Sequence, residues 1–382
     1  MRVLVDYRAA LRERSGVGEY THQLAAALLR RSASNGARST LDLWLFSSSW
    51  KDRLALPADL ADAHAVDRRV PVSILNFAWH RLGWPPAELI AGTAFDVTHA
   101  LHPLILPSRH AASIVTIHDL NFLTHPERTR AEIRRDYPAL VREHAHRAAR
   151  IITISEFTAT EIVARLSVPR DRITVCYPGA PTWPPLARTP ADGYVLFLGT
   201  LEPRKNVGAL LDAYEQLLGL AKPGPAKAEH YGRVPPLVLA GKATDEARPW
   251  LERIERPPLK GLVRHVGYVD PDARRELYAG ARLLVQPSFE EGFGMPVLEA
   301  MTLGVPVVAA NRGALPEVLG DAGLLVDPAR PADLAEAIHR MVSDTAVAES
   351  SVARGYERSR AFSWDRTAAL VYDAYLHACA SA

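Results

Sequence analysis

Short apolar, β-branched runs alternate with helix-period segments along this chain, and that alternation restricts its fold more than any other feature. The candidate strands are RVLVDY, LDLWLF, FDVTHA, SIVTIHD, RIITIS and RITVCY. After residue 190 come YVLFLGT, PLVLAG, VRHVGYV, ARLLVQPS, VPVVAA and GLLVD. Between them lie GEYTHQLAAALLRR, AEIRRDYPALVREHAHRAAR, EFTATEIVARL and NVGALLDAYEQLLGL, all with helical periodicity. Strands that read as continuous apolar runs have both faces covered, and strands separated by helices predict parallel sheets. At 382 residues the chain exceeds what one hydrophobic core usually supports. The break falls at PGAPTWPPLARTPADG, residues 178–193, where proline and glycine interrupt every periodicity. The expected fold class is therefore α/β, with two Rossmann-like domains facing each other across a cleft. Residues 1–180 form the first domain and 181–363 the second, with a tail helix at 364–382 packing back on the first. The irregular stretch KPGPAKAEHYGRVPP, residues 222–236, reads as a surface loop without a site.

Several function classes fall away on composition. A net charge of +2 gives no general attraction to nucleic acid. Cys176 and Cys379 are far apart in sequence, which argues against a disulfide framework or a zinc knuckle. The N-terminus enters a strand directly, with Arg2 and Asp6 in it, and lacks the apolar core of a signal peptide. No stretch approaches the ~18 apolar residues of a membrane span. The expected location is cytoplasmic, with peripheral contact at the inner face of the plasma membrane.

In open α/β sheets ligands bind beyond the carboxyl ends of the strands, so the strand ends are where chemistry is expected. After the first strand, Gly16 and Gly18 bracket the start of a helix, where backbone can approach an anion. The third glycine of a dinucleotide fingerprint is missing, and a plain glycine turn explains the pair equally well. At the end of SIVTIHDL, His118 can donate to a sugar hydroxyl or a developing charge, or it can form a structural pair with Asp119. Seven of the fourteen histidines lie between His99 and His146, without an HExxH motif, and no bound metal is expected. FLGTLEPRKNVGALL ends a strand at Gly199 and places Arg204 and Lys205 just before a helix starting at Asn206 or Val207. Two cations at a helix start suit a diphosphate. A solvated basic loop is the simpler alternative. FEEGFGMPVLEAM offers Pro296 as first helical residue and Gly292 and Gly294 to turn tightly over a phosphate. Glu299 in the first helical turn can accept from a ribose diol, and Glu291 in the loop can reach another part of the same ligand.

The segments GTLEPRKN, SFEEGFGMPVLEAMTLGVPVVAA and SGVGEY resemble signatures of family 4 retaining glycosyltransferases of the GT-B fold. TIHDLNF, ITISEF and FSWDRTA are similar to segments of the mannosyltransferase-like branch, and the matches run in order from about residue 14 to 367. The resemblance implies that Glu299 binds the donor ribose and Glu291 the hydroxyls of the transferred sugar. It implies that Arg204 and Lys205 hold the diphosphate, helped by Gly16 and by the backbone of Gly292, Phe293, Gly294, Met295 and Val297. His118 would approach the transferred sugar, and Gly241, Lys242, Val266 and Tyr268 would line the base pocket. Many relatives carry an arginine where this chain has Thr200, which leaves open whether Arg204 alone supplies that charge. No cofactor is implied beyond a GDP- or UDP-linked sugar as co-substrate. The implied reaction moves a mannose-like or glucose-like hexose, with retention and without metal, to a saccharide, lipid-linked saccharide or small-molecule acceptor in glycan biosynthesis. A nucleotide-sugar epimerase and a non-catalytic nucleotide-sugar-binding protein are the alternatives.

For the acceptor the residues offer two readings. Arg134, Arg135, Arg142, Arg147 and Arg150, with Arg128 and Arg130 ahead of them, make a cationic surface for anionic lipid. With Glu132, Asp136 and Glu143 interspersed, the same segment is equally a solvated helix.

Overall fold

The computed structural model describes residues 1–11, 14, 16–34, 41–124, 131–220 and 234–380. Two compact units emerge: Met1–Gly179 with Ser363–Ala382, and Ala180–Phe362. The expected loop at 222–236 lies outside the described residues as far as residue 233, as do Arg128 and Arg130.

The first unit is built on a seven-stranded sheet of order β3-β2-β1-β4-β5-β6-β7. Its strands are β1 (Arg2–Asp6), β2 (Asp42–Ser48), β3 (His64–Arg68), β4 (Val97–Ala100), β5 (Ala112–Ile117), β6 (Arg150–Thr153) and β7 (Ile173–Val175), paired in parallel throughout. All of β4 is buried, as expected for a central strand covered on both faces. The edge strand β3 is absent from the sequence-based expectation. Its segment HAVDR is short, charged and largely exposed, so it has no apolar run to announce it.

Helices α1 (Val17–Ser34), α2 (Ala131–Arg147), α3 (Glu156–Leu166) and α9 (Trp364–Ala380) belong to this unit. α9 packs against α1 and against the sheet, where Tyr375 Oη meets His99 Nδ1 on β4 at 2.8 Å. The returning chain passes so close that a Cβ on Gly179 would lie 2.2 Å from the Trp364 amide nitrogen.

The second unit carries a six-stranded parallel sheet of order β10-β9-β8-β11-β12-β13. The strands are β8 (Tyr194–Leu198), β9 (Leu237–Ala240), β10 (Val263–Gly267), β11 (Ala281–Gln286), β12 (Val307–Ala310) and β13 (Leu324–Val326). Its longer helices are α4 (Val207–Leu220), α5 (Pro271–Ala279), α6 (Met295–Leu303), α7 (Pro331–Ser343) and α8 (Thr345–Ser359). The apolar faces of α4 and α7 close one core over β8, β9 and β11, with Leu210, Leu211, Tyr214, Leu334 and Ile338 buried. Each such side chain is worth about 1.5–3 kcal/mol of burial.

Both sheets have the doubly wound Rossmann order, and strand order reverses between β1 and β4 and between β8 and β11. Loops leaving two strands at a reversal diverge to opposite faces and open a crevice at their carboxyl ends. Physics alone therefore points to the segments after β8 and β11 in the second unit, and to those after β1 and β4 in the first.

Candidate active site

The loop after β8 forms a 3-10 turn over Pro203–Lys205 and then a left-handed residue, Asn206, before α4 starts at Val207. Asn206 tolerates φ of 56° because its amide is anchored, donating to Pro287 O at 3.1 Å and to Pro328 O at 2.8 Å. The Pro287 bond, with Phe289 N donating to Arg204 O at 2.8 Å, fastens the β8 loop to the β11 loop, and the Pro328 bond ties it to the loop after β13.

That fastening buries an ion pair. Lys205 Nζ donates to Glu291 Oε1 at 2.5 Å, and the same oxygen accepts from Ser288 Oγ at 2.8 Å and Gln286 Nε2 at 2.9 Å. Arg204 Nη1 stands 3.7 Å from Glu291 Oε2 while its Nε pairs with Glu202 at 2.7 Å. Burial raises the Glu291 pKa, but the charges of Lys205 and Arg204 and the bonds from Lys205 and Ser288 overcome that and hold it down at about 2. Burial, and then the neighbouring Arg204, pull Lys205 below its ordinary value against the opposing pull of Glu291. The cluster thus sets two cations against two carboxylates, the deeply buried Glu291 and the less buried Glu202, at the end of the sheet.

The glycine-bearing turn is more economical than its sequence suggests. Only Gly294 takes a left-handed conformation, φ 104°, as N-cap of α6, and a Cβ there would meet Leu315 Cδ2 at 2.7 Å. Gly292 needs no positive φ, and α6 begins at Met295, with Pro296 second. The Val297 amide is spent on Gly294 O at 3.0 Å and Pro296 has none, so within this stretch the amides of Gly294 and Met295 are left to meet an anion.

Glu299 is buried one turn further on. Its carboxylate receives Arg274 Nη1 at 2.7 Å and Tyr278 Oη at 2.8 Å, both from α5. Phe293 is buried against Phe362, with ring centroids 5.6 Å apart.

The ends of β8, β9 and β10 also converge. Gly241 N donates to Gly267 O at 2.7 Å, and Lys242 Nζ lies 5.8 Å from the Tyr268 ring centroid. With φ of 134°, Gly241 passes so close to Gly199 that a Cβ would lie 2.0 Å from the Gly199 oxygen. Val266 is exposed beside them. A Cβ on Gly199 would in turn lie 3.7 Å from the Lys205 side chain, so the residues expected at the base and those expected at the diphosphate adjoin.

In the first unit, His118 directly follows β5. Its ring lies edge-on to Tyr20 on α1, with centroids 5.0 Å apart. Nε2 donates to Leu101 O at 3.2 Å, and burial holds the ring neutral, its pKa pushed down to about 4. Nδ1 therefore carries a lone pair, and the sequence expectation of a donor becomes that of an acceptor from a hydroxyl. Gly16, φ 49°, and Gly18, without a positive φ, sit where α1 begins.

His144 and His146 have one residue between them, a spacing that can hold metal, but they turn apart. His144 Nδ1 accepts from the Ile105 amide at 3.0 Å and His146 Nε2 donates to Leu166 O at 2.9 Å. Of the basic residues whose side chains are described, Arg142 on α2 donates to Arg165 O, Arg147 pairs with Glu143, and Arg150 at the start of β6 donates to Asp171 O, at 2.8–2.9 Å.

Four residues that sequence reasoning did not single out hold the acids: Gln286 and Ser288 at Glu291, Arg274 and Tyr278 at Glu299. Gly313 is a fifth, because a Cβ there would lie 2.7 Å from the Glu291 backbone nitrogen and oxygen. A glycine among apolar residues after a strand is a weak signal, and Arg274 in PDARRELYA reads as any charge on a solvated helix.

Residues 14–183 match the family model described as Glycosyltransferase Family 4, and residues 192–344 match Glycosyl transferases group 1. O-antigen chain mannosyltransferase B of Escherichia coli is 36% identical over 94% of this chain and 96% of its own length. The chain belongs to glycosyltransferase family 4. Among solved structures, this glycosyltransferase resembles sucrose-phosphate synthase from Thermosynechococcus elongatus, with TM-score 0.79 at 20% identity over the whole of both chains. It also resembles Anabaena HepE, solved in complex with UDP and glucose, with TM-score 0.65 at 17% identity over 98% of each chain. These likenesses are of fold, and they agree with the two doubly wound sheets. The enzyme is thus a transferase of glycan biosynthesis, in place of an epimerase or a binding protein without turnover.

Proposed function

We propose that this glycosyltransferase moves a mannose-like or glucose-like hexose from a GDP- or UDP-linked donor to a saccharide or lipid-linked saccharide acceptor. Retention at the anomeric carbon and independence of metal are part of the reading. The observation that carries it is the buried Lys205–Glu291 pair with Arg204 beside it, at the strand-order reversal of the second unit. A departing nucleoside diphosphate develops negative charge on its bridging oxygen, and fixed cations in a water-poor site stabilise that charge without reorganising. Lys205, Arg204 and the amides of Gly294 and Met295 supply positive charge of that kind. Two cations and a helix start do what a divalent ion does elsewhere.

Glu291, locked by three donors to Oε1, presents Oε2 to the hydroxyls of the hexose. Glu299, steadied by Arg274 and Tyr278, takes the ribose diol, while Gly241, Lys242, Val266 and Tyr268 border the base. The acceptor's proton passes to the leaving phosphate oxygen on the same face, so no side-chain nucleophile is required. His118 has the chemistry of a neutral acceptor for a sugar hydroxyl. The likeness to an O-antigen mannosyltransferase supports mannose as the hexose and a surface glycan as the product.

Incubation with GDP-mannose and a panel of other nucleotide hexoses, followed by NMR of the product, tests this reading. The product is expected to keep the donor's anomeric configuration, and turnover is expected to survive excess EDTA. An inverted product, or activity lost to EDTA and restored only by magnesium or manganese, contradicts it.

A further inference from the structure

Every large hydrophobic side chain more than half exposed, among the described residues, lies in one stretch of the first unit: Trp50, Ile74, Phe77, Leu82, Trp84 and Leu89, at 58–68% exposure. Isolated exposed apolar residues are ordinary, whereas six gathered in forty positions mark a surface made to be covered.

The fold brings them to one corner of the sheet. β2 and β3 end in register at Ser48 and Arg68, and Ser48 Oγ donates to Val70 O at 2.7 Å, so Trp50 and the chain after Val70 leave the sheet side by side. Arg68 Nε donates to Ile90 O at 2.9 Å, which brings Leu89 to the same corner. In between, a short helix over Val72–Phe77 continues as a wider turn over Ala78–Leu82. Its inner face buries Leu75 and Trp79, and Asn76 Oδ1 accepts from Arg8 Nη1 at 2.9 Å. The side chains of Ile74, Phe77 and Leu82 therefore point outward because the opposite face is already taken.

We propose that this corner docks on an anionic lipid bilayer, with Phe77, Leu82 and Trp84 entering the interface. Charge selects that occupant over an apolar protein surface. Lys51, Arg53, Arg68, Arg69 and Arg81 are exposed within the same stretch, against two exposed acids, Asp59 and Asp62, which precede the far end of β3. The other acids are half-buried and engaged, Asp67 with Arg53 at 2.7 Å, Asp52 with Ser49 at 3.0 Å and Glu88 with Ser108 at 2.6 Å. Aromatic rings with a polar edge favour the headgroup boundary, and neighbouring cations add attraction to anionic lipid. Eleven helical residues are far too few to cross the hydrocarbon, so the segment lies in the plane of the interface. Asn76 rests on Arg8, whose guanidinium is held by Asp6 at the carboxyl end of β1 with 2.6 Å between them. The bilayer would thus meet the first unit beside the strand-order reversal of its sheet, a fitting place for a lipid-linked acceptor. That last step rests on the proposed function; the docking surface does not.

Flotation of the full chain with vesicles tests the surface, using phosphatidylcholine alone and phosphatidylcholine containing phosphatidylglycerol. The protein is expected to float with the anionic vesicles and stay behind with the neutral ones, with binding falling as salt rises. Phe77→Ser with Trp84→Ser, and separately Arg69→Glu with Arg81→Glu, should each weaken vesicle binding about ten-fold or more. Leu376→Ser, an exposed apolar change on α9, should leave it unchanged. Unchanged melting temperatures and unchanged turnover on a short water-soluble acceptor separate a lost surface from a lost fold or a lost donor site. Vesicle binding that is absent in the native protein, or that survives the Phe77–Trp84 pair, overturns the proposal. So does a native dimer that this pair converts to monomer while vesicles capture neither form.

Discussion

Glu291→Gln is expected to lower turnover by about 10²- to 10³-fold while leaving nucleoside-diphosphate binding intact or slightly tighter. The loss follows from position. Lys205, Gln286 and Ser288 fix one carboxylate oxygen and so aim the other; in the glutamine that second position carries an NH2 group, which cannot accept from a hexose hydroxyl, and the charge facing Lys205 is gone. The free diphosphate has no hexose for Glu291 to hold, and Lys205, released from its counter-ion, becomes more available to phosphate. Removing one partner of a buried pair also costs stability, up to about 3–5 kcal/mol. The carboxyl titrates at about 2 when folded against an ordinary 4.5, so its contribution is complete above 4.5 and is lost as pH falls through 2. Single-turnover kinetics at saturating donor, beside the melting temperature at neutral pH, reads both effects. Full turnover in the variant would exclude Glu291 from the sugar.

Acidification from pH 7 to 4.5 is expected to destabilise the first unit by on the order of 5 kcal/mol, enough to lower its melting temperature by about 10 °C or more. Burial pushes His80, His118 and His144 down to about 4 and His99 to about 3, from an ordinary 6.5. A depressed histidine stays neutral in the fold while the unfolded chain takes up a proton. Stability is therefore present above 6.5 and drains as pH falls towards the folded values. The bonding agrees: His144 Nδ1 accepts an amide proton and cannot do so once protonated, and His99 is enclosed between Tyr375 and Thr116. Calorimetry across this range should show one transition moving steeply with pH. A melting profile unchanged between pH 7 and 4.5 would contradict neutral buried rings.

Most strands were legible because parallel strands covered on both faces are written as unbroken apolar runs, and ARLLVQ and LVLA can be little else. β3 escaped because an edge strand needs no such run. The loops of the site were legible for a related reason: Pro203, Gly294 and Pro296 break periodicity where a strand has just ended, and the charges stand beside the breaks. The network behind them was not. Arg274 and Tyr278 reach Glu299 from a separate helix, and Gly313 backs Glu291 from the loop after β12. Such contacts are set by packing, which spacing along the chain does not record. Burial was equally hidden in SILNFAWHRLGW, where apolar residues occur all round a short helix and only the fold decides which of them face outward.

Calorimetric titration of nucleoside and nucleoside diphosphate into native enzyme, Lys205→Ala and Glu299→Gln tests the donor site most directly. Native enzyme is expected to gain strongly from the diphosphate. Lys205→Ala should lose about 1.5–3 kcal/mol of that gain, the value of a hydrogen bond to a charged group, and hold the bare nucleoside as before. Glu299→Gln should weaken both ligands alike, by about ten-fold or more, because both carry the ribose. Equal weakening of nucleoside and diphosphate by Lys205→Ala would contradict the placement of the donor's phosphates at the buried pair.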